Sequence, residues 1–231
     1  MFRYQLLIEY VGTNFRGWQI QKKGSTIQGL IQEKLTKLLK EKIILNGSGR
    51  TDTGVHAIAQ SAHFDCRNKI IDLIKFLKSI NHFLNEDGIA ITKVKKRSSK
   101  FHSRFSAKQR IYKYIIFNQL SVPVIEKKRG WHVRKQLDID LIKKGAKKLI
   151  GTHDYSVFRA SSCHAKSPIK TIKSVKIKSL KNKIEIEFNS QSFLQQQVRS
   201  MVGCLKYLGE KKWDLKMFEK VFKSKKRILC A

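Results

Sequence analysis

Gly47-Ser48-Gly49-Arg50-Thr51-Asp52-Thr53-Gly54-Val55-His56-Ala57 is the stretch from which the rest of the chain is read. Three glycines within eight residues imply a tight loop whose backbone must approach something closely. Arg50 and Asp52 flank a single threonine, so a turn can bring guanidinium to carboxylate or aim both into a cleft. A carboxylate held ionised by a cation is a usable nucleophile. The plainer reading is a turn in which Asp52 only accepts hydrogen bonds from nearby backbone amides. The loop alone leaves both open.

Asp52-Thr53-Gly54 is also the triplet of aspartic proteases, whose chemistry needs two carboxylates sharing one proton. The chain has no second Asp-Thr-Gly or Asp-Ser-Gly, so only a homodimer would supply the partner. An arginine two residues before the aspartate biases both carboxylates towards ionisation, and the protease reading is poor.

Outward from the loop, periodicity gives a mixture of strands and helices. Residues 2–11 are β-rich. Residues 26–39 carry Ile27, Leu30, Ile31, Leu35, Leu38 and Leu39 as a helical stripe, with Ser25 or Thr26 as cap. Strands are expected at 42–45, 57–64 and 89–94, and a helix at 71–83. The polar, basic run 95–100 reads as a boundary. The second half opens with a strand at 110–118, with Tyr112, Tyr114 and Ile116 on one face. A helix at 137–150, strands at 169–177 and 184–188, and a helix at 193–208 follow. In that last helix Leu194, Val198, Met201, Val202, Leu205 and Leu208 form one stripe. Arg199 stands roughly 120° from its centre at about 100° per residue. Gln195 to Arg199 reads most simply as solvent-facing. The expected architecture is α+β: two halves, residues 1–100 and 101–231, sharing a mostly antiparallel sheet with a positively charged cleft.

Composition narrows the function. The 231 residues are 41% hydrophobic, enough for a packed core and too much for a disordered basic tail. Lys and Arg number 49 against 17 Asp and Glu, a net +32 that attracts polyanions such as nucleic acid or an anionic membrane surface. Lysine is spread through nearly every segment, as coding bias alone also produces. No stretch approaches the roughly 20 apolar residues of a membrane span. Residues 1–10 alternate and carry Glu9, a strand pattern and not a signal peptide. Cys66, Cys163, Cys204 and Cys230 lack metal-ligand spacing, so a reduced, metal-free, cytoplasmic protein is expected. Phe101-His102-Ser103-Arg104-Phe105 and Arg110-Ile111-Tyr112-Lys113-Tyr114 interleave aromatic and basic residues. That mixture suits RNA, where bases stack on rings and cations meet phosphates. The plainer alternative for Phe105 and Tyr114 is a core aromatic in a strand. Residues 158–168 form a polar, small-residue loop with two certain cations, fit to wrap a backbone or to do nothing.

Together these segments resemble the tRNA pseudouridine synthase A family. Gly49 to Ala57 is similar to its active-site loop, which usually has Ala where Thr53 stands. Tyr10-Val11-Gly12-Thr13-Asn14-Phe15-Arg16-Gly17-Trp18-Gln19 precedes it. Phe101 to Phe105, Arg110-x-Tyr112-x-Tyr114, Phe158-Arg159-Ala160 and Phe193-Leu194-x-x-x-Val198-Arg199-x-Met201-Val202-Gly203 follow in the family's order. The resemblance covers roughly residues 1–210.

The resemblance implies that Asp52 is the catalytic aspartate, Arg50 contacts tRNA, Tyr112 stacks on the target base and Arg199 pairs with Asp52. It further implies tRNA contacts from Phe101, His102, Ser103, Arg104 and Phe105 and from Ser162, Cys163, His164, Ala165 and Lys166. The implied protein is a homodimer without cofactor, converting uridines 38, 39 and 40 of the anticodon arm to pseudouridine. The N1–C1′ bond is broken, the base turns and rejoins through C5, with the nucleotide out of its stack. Asp52 adds to C6, attacks C1′ or takes a proton from C2′; the sequence does not choose. One departure stands out. Family members usually continue with Pro-Ala-x-Gly-Leu-x-Leu as a final strand, which this sequence lacks. An inner strand missing from a sheet exposes backbone, and the alternative expectation is therefore a catalytically weakened RNA-binding protein.

Overall fold

The computed structural model describes residues 1–231, which divide into two compact units, Met1–Ala107 and Lys108–Ala231. The fold is α+β.

The first unit contains β1 (Phe2–Tyr10), α1 (Ile27–Leu39), β2 (Asn46–Gly47), β3 (Ala57–Cys66), α2 (Leu73–Leu84) and β4 (Ile89–Arg97). Its sheet runs β2-β3-β1-β4, antiparallel throughout. Alternation along β1 sends Tyr4, Leu6, Ile8 and Tyr10 to one face, where Ile27, Ile31 and Leu35 of α1 and Phe76, Ile80 and Leu84 of α2 meet them. Each such side chain contributes about 1.5–3 kcal/mol on burial. Thr26 caps α1 by accepting from the Gly29 amide. Asp72 caps α2, accepting from Ile74 and Lys75, which is why that helix starts at Leu73 and leaves Ile71 outside.

Residues 42–45 are not a strand. Ile43 and Leu45 are buried as their alternation demands, but their amides donate to Thr36 Oγ1 and Gln32 Oε1 of α1, each at 3.1 Å. Side chains of the helix take the place of a ladder, and only Asn46 and Gly47 pair with β3. At the other edge β4 continues through Lys95, Lys96 and Arg97, opposite Gln5, Tyr4 and Arg3, so the basic run is strand there and the division between units falls after Ala107.

The second unit contains β5 (Arg110–Asn118), β6 (Trp131–Val133), α3 (Ile139–Lys148), β7 (Gly151–Asp154), β8 (Ile169–Leu180), β9 (Lys183–Ser190), α4 (Gln197–Gly209) and α5 (Leu215–Ser224). Sheet order is β6-β5-β9-β8-β7, with only the β5–β6 pair parallel. Ile184, Ile186 and Phe188 of β9 meet Ile142 and Ala146 of α3, Met201, Val202, Leu205 and Leu208 of α4, and Phe218 and Val221 of α5. β6, β7 and α5 have no counterpart in the sequence reading, the strands for being three and four residues long. The expected 193–208 helix begins later, at Gln197, after Gln196 in a left-handed conformation with φ 60°. Gln197 is not solvent-facing: it is 0% exposed, and its Oε1 accepts from the Leu194 amide at 2.8 Å. That bond gives the buried Leu194 amide, just ahead of the helix, its partner, so burying the amide side chain is tolerated.

Candidate active site

Asp52 lies in the loop between β2 and β3, partly buried, and opens a turn closed by the Val55 amide on the Asp52 carbonyl at 3.2 Å. Gly54 at the third position has φ +77°, which this kind of turn requires and a side chain resists. The near end of the loop is held by Gln60, whose Nε2 donates to the Gly49 carbonyl at 2.6 Å, and by the Ser48 amide on Ser61. Arg50 is exposed two residues from Asp52.

The far side of the loop rests on Tyr10, the last residue of β1, and on the segment from there to Trp18. The Tyr10 hydroxyl meets Thr51 Oγ1 at 2.8 Å, and the Trp18 amide donates to the Thr51 carbonyl at 3.0 Å. The Gly12 amide donates to His56 Nδ1 at 3.1 Å, which makes that ring nitrogen an acceptor. A Cβ on Gly12 would overlap the Val55 carbonyl, and one on Gly17 would stand 2.6 Å from the Thr51 carbonyl. Gly17 also has φ +82°. Two backbones thus run in contact on either side of Asp52. The base of this cradle is fixed in turn: buried Gln28 receives the Ile20 amide and donates to the Leu45 carbonyl, while its own amide donates to Trp18. The sequence reading gives residues 10–18 no role of their own; Gly12 and Gly17 are the signal there that a second chain segment passes close by.

Phe101 to Phe105 lie elsewhere in this unit. Ser103 is 2% exposed, its hydroxyl donating to the Asn46 carbonyl at 2.6 Å and its amide to His63 Nδ1 at 3.2 Å. Burial first, then the nearby Arg3 and His102, push the His63 imidazole down to about 4. Arg3 holds Asp65 through two bonds of 2.8 and 2.7 Å and donates to the carbonyls of Ser99 and Phe101. That pairing keeps the Asp65 carboxyl below the usual carboxylate range. Arg104 and Phe105 point outward.

In the second unit, Tyr112 on β5 meets Phe193 edge to face, with ring centres 5.1 Å apart. Tyr114, two residues on, has its hydroxyl pushed up by burial, partly offset by the charge of Arg199. Arg199 is solvent-accessible on the first turn of α4. The structure therefore gathers Tyr112, Tyr114, Phe193 and Arg199 around the β5–α4 side of this unit. The loop before β8 is tied to the same region: the Ala160 amide donates to Gln195, the Cys163 amide to Ala160, and Arg159 to the Cys163 carbonyl. Cys163 is buried and Ala165 packs on the core, while Ser162, His164 and Lys166 face solvent. Burial raises the Cys163 thiol, but the amides of Ala165 and Gln195 and the charge of Arg159 leave it below its ordinary value.

The tRNA pseudouridine synthase family model matches residues 6–106 and 146–230. A tRNA pseudouridine synthase A from Pelagibacter ubique (strain HTCC1062) is 72% identical over 231 residues, covering 100% of this chain and 94% of that protein. A tRNA pseudouridine synthase A from Paramagnetospirillum magneticum (strain ATCC 700264 / AMB-1) is 40% identical over 228 residues, covering 98% of this chain and 88% of that protein. No helix is long and apolar enough to cross a membrane.

Proposed function

The chain belongs to the tRNA pseudouridine synthase family, and from that premise we propose that it converts uridines 38, 39 and 40 of the tRNA anticodon arm to pseudouridine, with Asp52 as the attacking group. The observation that carries the reading is the cradle: a short carboxylate-bearing loop held on both sides by backbone contacts through Gly12, Gly17 and Trp18. Catalysis by one carboxylate depends on aiming it without reorganisation when the bond breaks, and such a scaffold supplies that.

The reaction is an isomerisation. The N1–C1′ bond breaks, the uracil turns, C5 bonds to C1′, and the C5 proton leaves as N1 gains one. Asp52 enters at C6, at C1′ or at the C2′ proton. Tyr112, braced by Phe193, supplies a flat surface for the uracil as it turns. Arg199 keeps the part implied by the family resemblance, the basic residue assigned to Asp52 as its partner. Arg50, Phe101 to Phe105 and Ser162 to Lys166 hold tRNA; within those runs Ser103 and Cys163 are buried and act by shaping their loops. A net charge of +32 makes binding steeply salt-dependent. The protein works as a homodimer; Leu120, Val122, Val124 and Ile125, exposed between β5 and β6, are surface a second copy can cover.

Each turnover releases the C5 hydrogen, so tRNA tritiated at uridine C5 gives a direct test. Release confined to positions 38–40 is expected. No release, or release from other uridines, contradicts the proposal.

A further inference from the structure

The sulfurs of Cys204 and Cys230 lie 3.5 Å apart, and both are free thiols. The reaction at Asp52 uses neither. Cys204 is 1% exposed on α4. Cys230 is half-buried and follows the short turn Arg227–Leu229, where its amide donates to the Arg227 carbonyl at 3.0 Å. Ser200, Gly203 and Cys204 share one face of α4, three and four residues apart. The Cys230 sulfur is 3.8 Å from the Ser200 carbonyl, and a Cβ on Gly203 would stand 3.0 Å from the Ala231 carbonyl. Glycine on that face leaves room for residues 230 and 231 to lie against the helix, and both pack on the core of this unit.

A disulfide is about 2.05 Å long, so the two sulfurs have to close by roughly 1.5 Å to bond. The core residues of α4 hold that helix in place, but residues 225–229 are exposed, and a short surface segment shifts that far cheaply. The two thiols are also unequal. The bond from Cys204 draws the Cys230 thiol below its ordinary value against its burial, and the charge of Arg227 adds to this. The same bond, together with burial, pushes the Cys204 thiol up. One sulfur is thus reachable and inclined to ionise, and the other waits in contact with it. That is the arrangement of an attacking thiol backed by a resolving one.

We propose that Cys204 and Cys230 form a reversible oxidation site, closing to a disulfide on reaction with a hydroperoxide and so fixing the segment after α5 to α4. The Cys230 thiolate attacks a peroxide oxygen, the O–O bond breaks, and the departing alkoxide or hydroxide takes up a proton. Cys230 is then a sulfenic acid. The Cys204 sulfur attacks the Cys230 sulfur, the S–O bond breaks, and hydroxide leaves as water with the Cys204 proton. The two thiols have lost two electrons and two protons, and hydrogen peroxide has become two waters. The bridge closes a loop that contains α5 and ends on the helix that carries Arg199. Where thiols are kept reduced such bridges are transient, so the pair responds to oxidant and is not a permanent staple. The site uses neither Asp52 nor RNA and stands apart from the tRNA reading.

The full chain, reduced and freed of reductant, is treated with hydrogen peroxide, capped with N-ethylmaleimide and digested without reductant. Mass spectrometry is expected to find the Cys204 and Cys230 peptides joined, lighter than their sum by two hydrogens and parted again by dithiothreitol. The oxidised chain is expected to melt about 5 °C or more above the reduced one. Cys230→Ser is expected to show neither the link nor the shift, and Cys204→Ala to leave Cys230 as a sulfenic acid that dimedone traps. Both cysteines recovered as capped thiols after peroxide overturn the proposal. So does Cys230 carried on to sulfinic acid without a link, or either cysteine joined to Cys66, to Cys163 or to a second copy. A link that leaves the melting temperature unchanged overturns the fixing of the segment to α4.

Discussion

A methyl group on Gly17 would stand 2.6 Å from the carbonyl oxygen of Thr51, the residue before Asp52. Neither atom belongs to a reacting group, yet their contact sets where the carboxylate begins. The segment after β1 and the loop before β3 are neighbours because Tyr10 pairs with Ala57, so the ends of two adjacent strands deliver both backbones to one place.

Gly17→Ala therefore meets two obstacles, a backbone contact that cannot yield cheaply and a φ of +82°. The expected result is a stability loss of about 1–3 kcal/mol and a fall in turnover of at least about tenfold, since small displacements of a reacting group are costly. Melting curves and tritium release on one preparation check both. Full turnover would mean that the loop tolerates displacement and the cradle is not what aims Asp52.

Tyr10 and Thr51 offer a gentler test. Tyr10→Phe and Thr51→Val each remove one end of a 2.8 Å hydrogen bond. Each is expected to destabilise by about 1 kcal/mol, and the double variant by less than the sum. Additive losses in urea titrations would show that this contact is not an energetic unit.

Much of this is legible in the sequence, for reasons visible in particular residues. Leu6, Ile8 and Tyr10 on β1, and Ile27, Ile31 and Leu35 on α1, fall at the periods their elements require, and those elements appeared. Residues 42–45 carry the same alternation, but Thr36 and Gln32 of α1 claim their amides, a choice no period records. Gln197 reads as polar and therefore exposed; it is buried because Leu194 needs an acceptor. Asp52 stands out in the sequence by its loop motif. The cradle beneath it joins residues about forty apart in sequence, and local pattern does not reach that far.

The first unit should weaken in acid in two stages. His63 sits at about 4 in the fold against roughly 6.5 for a free imidazole. Between those values the unfolded chain takes up a proton that the folded chain refuses, so stability falls as pH drops from about 6.5 to 4, by up to about 3 kcal/mol. Asp65, held below the usual carboxylate range by Arg3, contributes stability above its ordinary value that is lost as pH falls further. Urea midpoints measured from pH 7 to 4 should slope downward, and His63→Gln should flatten the upper stage. A flat profile in the unaltered chain would remove His63 from this role.

The most direct measurement compares Asp52→Asn with the unaltered chain for both tritium release and tRNA affinity. A side chain of nearly the same shape that cannot attack leaves the many cationic contacts in place. Turnover is expected to fall about a thousandfold or more, with affinity changed by no more than about threefold. Turnover within tenfold of the unaltered chain would contradict it.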